Sequence, residues 1–271
     1  MAVDPRYLST AIEAAVAAGR IHRSFFRQNL RIDKKGPIDL VTEADVAAER
    51  EFRALVARRF PSHAVLGEEG EETAAGAECR WVIDPLDGTT NFAHGLALFC
   101  VSIALEIGGR LELGVVFDPM AGELFTAERG EGARLNGQPI RVTGTATLVD
   151  SLLCTGFPYT VRQDQARQVA VFAALLGESR AVRRLGSAAL DICYVAAGRF
   201  DGFWEDRLHA WDVAAGALIV EEAGGRVTDF AGRPLDLTRG QILATNGPLH
   251  ERVREVIMRA RATGADTGLG R

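Results

Sequence analysis

The sequence predicts a mixed fold, α+β in one half and α/β in the other, because the two halves differ in their secondary-structure pattern. Residues 99–140 contain short apolar segments joined by hairpin turns, which is typical of an antiparallel meander. Later residues alternate helical stretches with short strands, which favours a sheet covered by helices. We therefore expect an N-terminal α+β half over residues 1–143, a C-terminal α/β half over residues 144–262, and a disordered polar tail over residues 263–271.

The composition is that of an ordinary globular protein. The chain has 271 residues, of which 47% are hydrophobic and 25% charged, and this length can bury a large core. The net charge of −5 argues against a nucleic-acid-binding surface, for which a basic patch is expected. The N-terminus lacks the pattern of a secretory signal, and the longest apolar stretch, residues 96–105, is too short to cross a bilayer. The four cysteines form no CxxC pair and are typical of free thiols in a reducing compartment. We expect a cytoplasmic protein without membrane partners.

The N-terminal region contains the signals of two helices. Asp4 and Pro5 read as an N-cap followed by a proline in the first turn, and apolar residues then recur at helical spacing to about Arg27. A second helix is predicted to begin near Thr42, and Pro61 follows its end. Its core-facing stripe is expected to consist of Ala48, Phe52, Leu55, Val56 and Phe60.

Short apolar segments after the second helix predict the strands. In the N-terminal half these are residues 64–66, 80–83, 99–107 and 111–118. The pairs Gly108-Gly109 and Asn136-Gly137 predict hairpin turns, because glycine and asparagine tolerate positive φ. In the C-terminal half, the predicted helices are 161–176, 187–197, 210–223 and 248–262, and the predicted strands are 201–204, 226–229 and 242–245.

The stretch WVIDPLDGTTNF places Asp84 and Asp87 around a proline. The apolar residues before them predict a strand that Pro85 ends, and Gly88-Thr89 can open a helix. The two aspartates would then lie on a strand-to-helix turn, where the free N–H groups of the helix can bind a phosphate. Carboxylates for a hard cation beside such N–H groups would form a metal–phosphate site. The alternative is a turn that only caps the helix.

Two other motifs of phosphate and metal sites are excluded by spacing. Haloacid-dehalogenase-like phosphatases place two aspartates two positions apart on one strand face. Here the aspartates are three apart, so a continuing strand would not orient both carboxylates alike. An EF-hand loop beginning at Asp84 would need an oxygen ligand at its third position and a glutamate at its twelfth, which are Leu86 and Gly95 here.

Three further acidic residues are weak signals when each is taken alone. Glu68 follows a predicted strand in a Gly-Glu-Glu-Gly loop, and a loop glutamate usually has no special role. Asp212 lies near a predicted helix start, where the helix dipole stabilises an aspartate. Asp45 could simply support the cap of the second helix. Each residue therefore also has a purely structural interpretation.

Taken together, these segments resemble the inositol monophosphatase family. The family's first motif, W-x-I-D-P-[IL]-D-G-T-x-N-[FY], matches residues 81–92 at every position. Its second motif, W-D-x-[AS]-[AG] with a closing [AS]-G-G, matches residues 211–215 and 223–225. The Gly-Glu-Glu and Asp-Leu-Val-Thr-x-x-Asp segments occur in the family's order. The resemblance spans residues 8–260 and implies a layered αβαβα sandwich with the active site between the two halves.

The resemblance implies two or three Mg²⁺ ions per site, with Mn²⁺ able to substitute. Glu68, Asp84 and the Leu86 carbonyl would hold the first ion. Asp84, Asp87 and Asp212 would hold the second, and a third would share Glu68. Oxygen-only ligands suit Mg²⁺ or Mn²⁺ better than Zn²⁺. Two carboxylates about 4 Å apart repel by roughly 4 kcal/mol at an effective dielectric near 20, so cations would keep the cluster ionised.

The resemblance also implies how the phosphate would be bound and attacked. Asp87, Gly88 and Thr89 would contact the phosphate, the last two through their N–H groups. A metal-activated water, oriented by Glu68 and the Thr89 hydroxyl with Asp45 behind it, would attack phosphorus in line. Inhibition by Li⁺ and a homodimeric state are further properties that the resemblance implies.

The expected contacts to the alcohol part of the substrate come from three places in the chain. Lys34 would line the mouth of the site, although the adjacent Lys35 could take that position. The segment Gly186-Ser187-Ala188 would line the alcohol side, and Glu205 would accept a hydrogen bond from a ring hydroxyl of inositol. A carboxylate at that point suits a polyol, but it would also attract the amine of histidinol phosphate.

The expected function is Mg²⁺-dependent hydrolysis of inositol 1-phosphate to inositol and phosphate. The same chemistry on histidinol phosphate, fructose 1,6-bisphosphate or 3′-phosphoadenosine 5′-phosphate stays open. A different class of function is a binding or regulatory protein that keeps the fold. Such a protein would usually have lost a ligand, whereas all five of the main positions are intact here: Glu68, Asp84, Asp87, Thr89 and Asp212.

Overall fold

The computed structural model describes residues 4–28, 32–34 and 40–266. Within these residues the chain forms seven α-helices, two short 3₁₀ turns and fourteen strands. The α-helices are α1 (Pro5–Phe25), α2 (Glu43–Arg59), α3 (Thr89–Ala93), α4 (Gln165–Glu178), α5 (Ala188–Ala196), α6 (Ala210–Glu222) and α7 (His250–Asp266). The strands are β1 (Ile32–Lys34), β2 (Leu40–Thr42), β3 (Ala64–Gly67), β4 (Cys79–Asp87), β5 (Cys100–Ile107), β6 (Arg110–Asp118), β7 (Glu123–Glu128), β8 (Ala133–Leu135), β9 (Gln138–Pro139), β10 (Leu152–Thr155), β11 (Ala181–Arg183), β12 (Gly202–Glu205), β13 (Arg226–Thr228) and β14 (Ile242–Thr245).

The elements stack in five alternating layers of helices and sheets. The larger sheet has seven strands in the order β3-β4-β5-β6-β7-β8-β9, and the smaller has five in the order β11-β10-β12-β14-β13. Helices α1 and α2 pack on the outer face of the larger sheet, and α4 and α7 cover the outer face of the smaller one. Helices α5 and α6 lie between the two sheets and contact both. The predicted αβαβα sandwich is confirmed.

The larger sheet contains the predicted meander. Strands β4 to β9 pair antiparallel in chain order, and only β3 pairs parallel, with β4. Both predicted hairpin turns have positive φ at their central residues, 58° and 78° at Gly108 and Gly109 and 49° and 79° at Asn136 and Gly137. Such turns match the twist of the strands that they join.

The N-terminal helices begin as the sequence predicts. The Asp4 carboxylate accepts a hydrogen bond of 2.9 Å from the Arg6 N–H, which caps α1. Thr42 caps α2, and the side chain of Asp45 bonds back to the Thr42 N–H at 2.9 Å. The predicted apolar stripe of α2 is buried against the larger sheet: Ala48, Phe52, Leu55, Val56 and Phe60.

Strand β4 differs from the prediction, because it continues through Pro85 to Asp87. Pro85 and Leu86 together lie opposite the single residue Val101 of β5, so the strand contains a bulge. A proline is tolerated there because a bulged residue does not have to donate to the ladder. In a regular strand, residues three apart face opposite sides. The extra residue restores the alternation and turns Asp84 and Asp87 to the same side.

The smaller sheet is mixed. Strand β10 pairs parallel with β11 and β12, and the pairs β12–β14 and β13–β14 are antiparallel. The short apolar strand β10 and the three-residue strand β11 were not predicted. The helix predicted over 161–176 begins later, at Gln165, after a 3₁₀ turn at Val161–Gln163.

Helix α7 is longer than predicted. It continues to Asp266, so residues 263–266, which were predicted to belong to the tail, are helical. The Thr263 hydroxyl donates to the Ala260 carbonyl at 3.0 Å, which fits a continuing helix. The rest of the predicted tail lies outside the described residues. Every helix within the described ranges is too short or too polar to span a membrane.

Candidate active site

A cleft of about 480 Å³ opens where the end of β4 and the start of α3 meet the first turns of α5 and α6. Eleven predicted site residues line it: Glu68, Asp84, Leu86, Asp87, Gly88, Thr89, Gly186, Ser187, Ala188, Glu205 and Asp212. Asp45 is buried behind Thr89. Lys34, predicted on a loop, is the last residue of strand β1, and its side chain lies outside the described part of the chain.

Three aspartates converge at the base of the cleft. Carboxylate oxygens of Asp84, Asp87 and Asp212 lie within 4.8 Å of one another. The bulge in β4 presents the first two, and the first turn of α6 presents the third. Burial, and then repulsion from the neighbouring carboxylates, raise the pKa values of Asp84 and Asp212 well above the ordinary range. Glu68 contributes to that repulsion at both residues. A cation would relieve it, so the cluster could hold a metal ion.

Asp87 also joins the two halves of the molecule. Its Oδ2 accepts hydrogen bonds from the Ser187 hydroxyl at 2.6 Å and the Ala189 N–H at 2.7 Å, and its Oδ1 accepts one from the Ala188 N–H at 3.3 Å. A carboxylate on the larger sheet therefore caps helix α5 of the middle layer. Burial raises the pKa of Asp87 to about 6, although these three hydrogen bonds act to lower it.

Asp45 orients the hydroxyl group of Thr89. Asp45 is fully buried, and its Oδ1 lies 3.1 Å from Thr89 Oγ1, which also lies 2.9 Å from the Leu86 carbonyl oxygen. The hydroxyl has one proton to donate to these two acceptors, so its lone pairs can face the cleft. Burial raises the pKa of Asp45 to about 6, and hydrogen bonds from Thr42 oppose that rise.

The turn between β4 and α3 depends on a glycine. Gly88 has φ of 97°, in the left-handed region, and a Cβ atom there would lie 2.9 Å from the Leu98 carbonyl oxygen. Both Gly88 and Thr89 line the cleft at the start of α3. The first N–H groups of a helix have no acceptor within the helix, so they can donate to a phosphate at this point.

Glu205 lies on the opposite side of the cleft, at the end of β12. Its side chain is buried, and the carboxylate occupies the space beside Gly156, where a Cβ atom would lie 2.0 Å from Oε2. Burial, and then repulsion from Asp212, raise the pKa of Glu205 well above the ordinary range, and the charge of Arg184 partly offsets them. The position suits recognition of hydroxyl or amine donors.

Sequence reasoning missed Asp191, which lies in the cleft together with Arg184. Asp191 is 1% exposed with an Oδ1 that has no hydrogen-bond partner among the described residues. Asp191 lies four positions after Ser187, so the helical spacing of α5 could have placed them on one face. The Ser187 hydroxyl itself is engaged by Asp87, which the sequence could not show.

His209 also lines the cleft, directly before helix α6. Its ring is exposed and stacks on Trp211 with centroids 4.7 Å apart. Its backbone N–H donates to Asp212 Oδ2 at 2.6 Å, which holds the aspartate against the first turn of α6. The residue thus supports the acidic cluster through its backbone.

Comparison with known proteins assigns the chain to a family. The model of the inositol monophosphatase family matches residues 4–263. The chain belongs to the inositol monophosphatase family. A relative from Pseudomonas aeruginosa, named Nus factor SuhB, is 49% identical over 88% of this chain and 91% of its own length. An inositol-1-monophosphatase from Rhizobium meliloti is 46% identical over 93% of this chain and 96% of its own length.

Solved structures of inositol monophosphatases have the same fold. The enzyme from Anabaena superposes with a TM-score of 0.86, is 43% identical, and covers 94% of this chain and 96% of its own. The family is a phosphatase family, so the chain is a phosphomonoesterase and its substrate a phosphomonoester. The expected resemblance is confirmed.

Proposed function

We propose that this inositol monophosphatase family member is a Mg²⁺-dependent enzyme that hydrolyses inositol 1-phosphate to inositol and phosphate. One observation carries the proposal: the carboxylates of Asp84, Asp87 and Asp212 converge within 4.8 Å at the base of a cleft. The same cleft contains the start of α3 on one side and the buried Glu205 on the other. It therefore combines donors for a phosphate with an acceptor for an alcohol.

The donor set fits Mg²⁺, because it consists of oxygen atoms only. Glu68, Asp84 and the Leu86 carbonyl would hold one ion, and Asp84, Asp87 and Asp212 a second. A third ion would share Glu68, Mn²⁺ would substitute for Mg²⁺, and Li⁺ would inhibit at the second position. When bound, the ions would polarise the phosphoryl oxygens and make a water molecule more acidic.

The chain's own residues would then bind and orient the reacting groups. The N–H groups of Gly88 and Thr89 donate to the phosphate. Glu68 and the Thr89 hydroxyl hold the attacking water in line with the ester bond, and Asp45 accepts a hydrogen bond from the Thr89 hydroxyl. The water oxygen forms a bond to phosphorus as the bond between phosphorus and the alcohol oxygen breaks. In the net reaction, one proton of the water goes to the departing alcohol oxygen and the other stays on the phosphate. No covalent phosphoenzyme forms in this scheme.

The alcohol side of the cleft favours a substrate rich in hydrogen-bond donors. Glu205 accepts from a ring hydroxyl, and Gly186-Ser187-Ala188 forms the adjoining wall. The relatives named inositol-1-monophosphatase support inositol as the alcohol. Histidinol phosphate, fructose 1,6-bisphosphate and 3′-phosphoadenosine 5′-phosphate are the alternatives that share this chemistry.

A substrate panel tests the proposal. Phosphate release from inositol 1-phosphate and the three alternatives is measured with Mg²⁺ at neutral pH and compared as kcat/KM. We expect inositol 1-phosphate to rank first and Asp87→Asn to abolish release while circular dichroism shows a folded protein. If inositol phosphates rank last, the substrate is wrong. If the wild-type chain releases phosphate from none of the four, the phosphatase proposal is wrong.

A regulatory role is the second candidate, since the relative from Pseudomonas aeruginosa is named a Nus factor. Its 49% identity is close to the 46% of the Rhizobium meliloti enzyme, so identity does not separate the two roles. Replacing the relative's gene with the wild-type chain or with Asp87→Asn tests this role. Restoration of growth by both variants would support a function independent of catalysis.

Three further properties belong to the proposal because the family resemblance implies them. The first is a homodimer, which analytical ultracentrifugation checks. The second is a cytoplasmic location. The third is that Lys34 lines the mouth of the site, so Lys34→Ala should raise KM for the phosphate ester more than it lowers kcat. If neither KM nor kcat changes in Lys34→Ala, then Lys34 does not contribute to the site.

A further inference from the structure

The loop that carries Glu68 is tied to helix α2 by a buried carboxylate. Glu49 is 3% exposed, and its Oε2 accepts a hydrogen bond of 2.8 Å from the Glu69 N–H. Its Oε1 accepts one of 2.7 Å from Arg53 Nε. The carboxylate therefore holds the loop directly at the residue after Glu68, and it holds Arg53 with its other oxygen.

Arg53 extends the same connection to both sides of the loop. Its guanidinium group donates to the Gly70 carbonyl at 3.1 Å and to the Val65 carbonyl at 3.4 Å. Val65 precedes the loop and Gly70 lies within it, so the contacts of Arg53 bracket Glu68 along the chain. The ends of the loop are also joined to each other, by the Thr73 N–H and the Val65 carbonyl at 3.1 Å.

Two glycines in the loop leave room for the Glu49 carboxylate. A Cβ atom at Gly67 would lie 2.5 Å from the Glu49 carboxyl carbon, and one at Gly70 would lie 2.9 Å from its Oε1. The Glu49 carboxylate fills the space beside Gly67, and it shares the space beside Gly70 with the Arg53 guanidinium group, 3.0 Å from that Cβ position. Side chains at either position would displace the carboxylate or the loop.

Helix α2 presents these groups at regular spacing. Asp45, Glu49 and Arg53 follow one another at intervals of four residues, so they lie along one face of the helix. Asp45 supports Thr89, and the next two residues support the loop of Glu68. A single helix face therefore lies behind both residues that the proposed function assigns to holding the attacking water.

We propose that Glu49 is a positioning residue, which through the Glu69 N–H and through Arg53 fixes the place from which Glu68 faces the acidic cluster. The inference rests on the proposed function, since it concerns the metal-binding role of Glu68. Glu49 does not line the cleft, so it acts only through the loop. Removing one partner of a buried ion pair leaves the other uncompensated and lowers the free energy of unfolding. The test therefore compares metal affinities of folded proteins and includes a control variant that breaks a similar buried pair elsewhere.

The test measures Mn²⁺ binding to the metal-free protein, with free Mn²⁺ counted by electron paramagnetic resonance. Glu49→Gln keeps the shape of the side chain but removes the charge that holds Arg53. Arg53→Lys keeps the charge but cannot reach the same set of acceptors. We expect the dissociation constant of the tightest Mn²⁺ site to rise about tenfold or more in both variants, the usual effect of removing a residue that orients a metal ligand. The kcat value at saturating Mg²⁺ should change far less.

A matched control is the pair of Asp229 with Arg233, neither of which lines the cleft. Asp229 Oδ2 accepts a hydrogen bond of 2.7 Å from Arg233 Nε, its Oδ1 accepts one of 2.9 Å from the Arg233 N–H, and its side chain is 2% exposed compared with 4% for Glu49. Asp229→Asn should leave Mn²⁺ affinity unchanged.

Two results would overturn the inference. One is a wild-type dissociation constant in Glu49→Gln and Arg53→Lys, and the other is an equal loss of affinity in Asp229→Asn, which would indicate a general effect on stability. Wild-type protein that binds no Mn²⁺ and releases no phosphate would instead contradict the proposed function itself. Melting temperatures without metal show whether each variant is folded, and Arg53→Lys keeps the test valid if Glu49→Gln is not.

Discussion

His22 shows how a single buried residue can support the acidic cluster from behind. It is fully buried under the bulge of β4, and its Nε2 lies 2.8 Å from the Pro85 carbonyl oxygen. A carbonyl oxygen can only accept a hydrogen bond, so His22 must carry a proton on Nε2. The neutral ring has a tautomer with that proton, so the hydrogen bond does not require a positively charged ring. The structure shows which backbone group His22 binds, and no local pattern around this histidine indicates that partner.

The buried state of His22 predicts a loss of stability in acid. Burial lowers the pKa of His22 to about 4, from an ordinary value near 6.5. Between these two values the unfolded chain takes up a proton that the folded chain does not, so the free energy of unfolding falls as the pH falls. The full difference corresponds to roughly 3 kcal/mol. Stability is complete above pH 6.5 and decreases towards pH 4.

Urea unfolding at pH 7 and pH 5 checks this prediction. The control is His22→Gln, whose amide can donate to the Pro85 carbonyl without titrating. We expect the wild-type chain to lose about 2 kcal/mol more than His22→Gln between the two pH values. Equal losses in both proteins would show that His22 does not contribute to the acid sensitivity.

The carboxylate of Asp87 predicts that protons and metal ions compete. Burial raises its pKa to about 6, so below that pH the folded protein holds a proton that a metal ion must displace. The Mg²⁺ concentration for half-maximal phosphate release should therefore rise as the pH falls below 6, by up to about tenfold per pH unit for each proton displaced. Activity titrations with Mg²⁺ at pH 5.5, 6.5 and 7.5, at constant ionic strength, measure it. A half-saturating concentration independent of pH would contradict the prediction.

At the scale of secondary structure, the turn from β4 into α3 tolerates little change. Alanine at Gly88 would need a φ near 97° and would place its Cβ 2.9 Å from the Leu98 carbonyl oxygen. We expect Gly88→Ala to lower the free energy of unfolding by more than about 1–2 kcal/mol, which is the cost of the left-handed conformation alone. Phosphatase activity should fall as well, because the turn sets the N–H groups that face the cleft.

Gly130→Ala is the matched control for that prediction. Gly130 has φ of 84°, but a Cβ atom there would meet no other atom within 4 Å. Gly130→Ala has the same conformational cost as Gly88→Ala but no steric clash. The difference between their free energies of unfolding therefore measures the cost of the clash at Gly88. Urea unfolding of both variants provides that difference. If Gly130→Ala is as destabilised as Gly88→Ala, crowding at the turn has no effect of its own.

The regular elements were largely predictable, because their signals are local. Capping residues marked the starts of α1 and α2, and glycine or asparagine marked the hairpins. Strand β10 was missed because its four residues show no alternation, and both of its ladders are parallel pairings with distant segments. The continuation of β4 was missed because proline was taken to end the strand, whereas a bulge accommodates it.

The site was predictable only in part. The motifs that resemble the family identified the acidic residues that line the cleft except Asp191, but the spacing of Asp84 and Asp87 alone left them as a possible turn. Their convergence with Asp212 depends on a bulge and on packing between layers, which no local pattern encodes. Glu49 was missed and His22 was given no part in the site, because a charged residue on a helix and an isolated histidine usually have no role in a site.

At the scale of the whole molecule, the cleft lies between elements from different layers. Asp84 and Asp87 belong to the larger sheet, whereas Asp212 belongs to helix α6, which contacts both sheets. The hydrogen bonds from Asp87 to the start of α5 already join these layers. A metal ion held by all three aspartates would therefore link the sheet to the middle layer, and it would bind only the folded chain.

This arrangement predicts opposite effects of one substitution with and without metal. A ligand that binds only the folded state at a concentration about 100-fold above its dissociation constant adds about 2.7 kcal/mol to stability. For a chain of this size, Mg²⁺ should then raise the melting temperature by about 5 °C or more. Asp212→Asn should remove most of that rise because it removes a ligand. In a chelator, however, the same variant should melt at or above the wild-type temperature, since its loss of charge relieves the repulsion among buried carboxylates.

Asp118→Asn is the control: it alters a buried aspartate that supports a hairpin turn, so it should lower the melting temperature equally in both conditions. Scanning calorimetry of the wild type, Asp212→Asn and Asp118→Asn, with Mg²⁺ and with chelator, measures these melting temperatures. An Asp212→Asn variant that is destabilised in chelator and keeps the full Mg²⁺ rise would show that the three carboxylates do not share an ion.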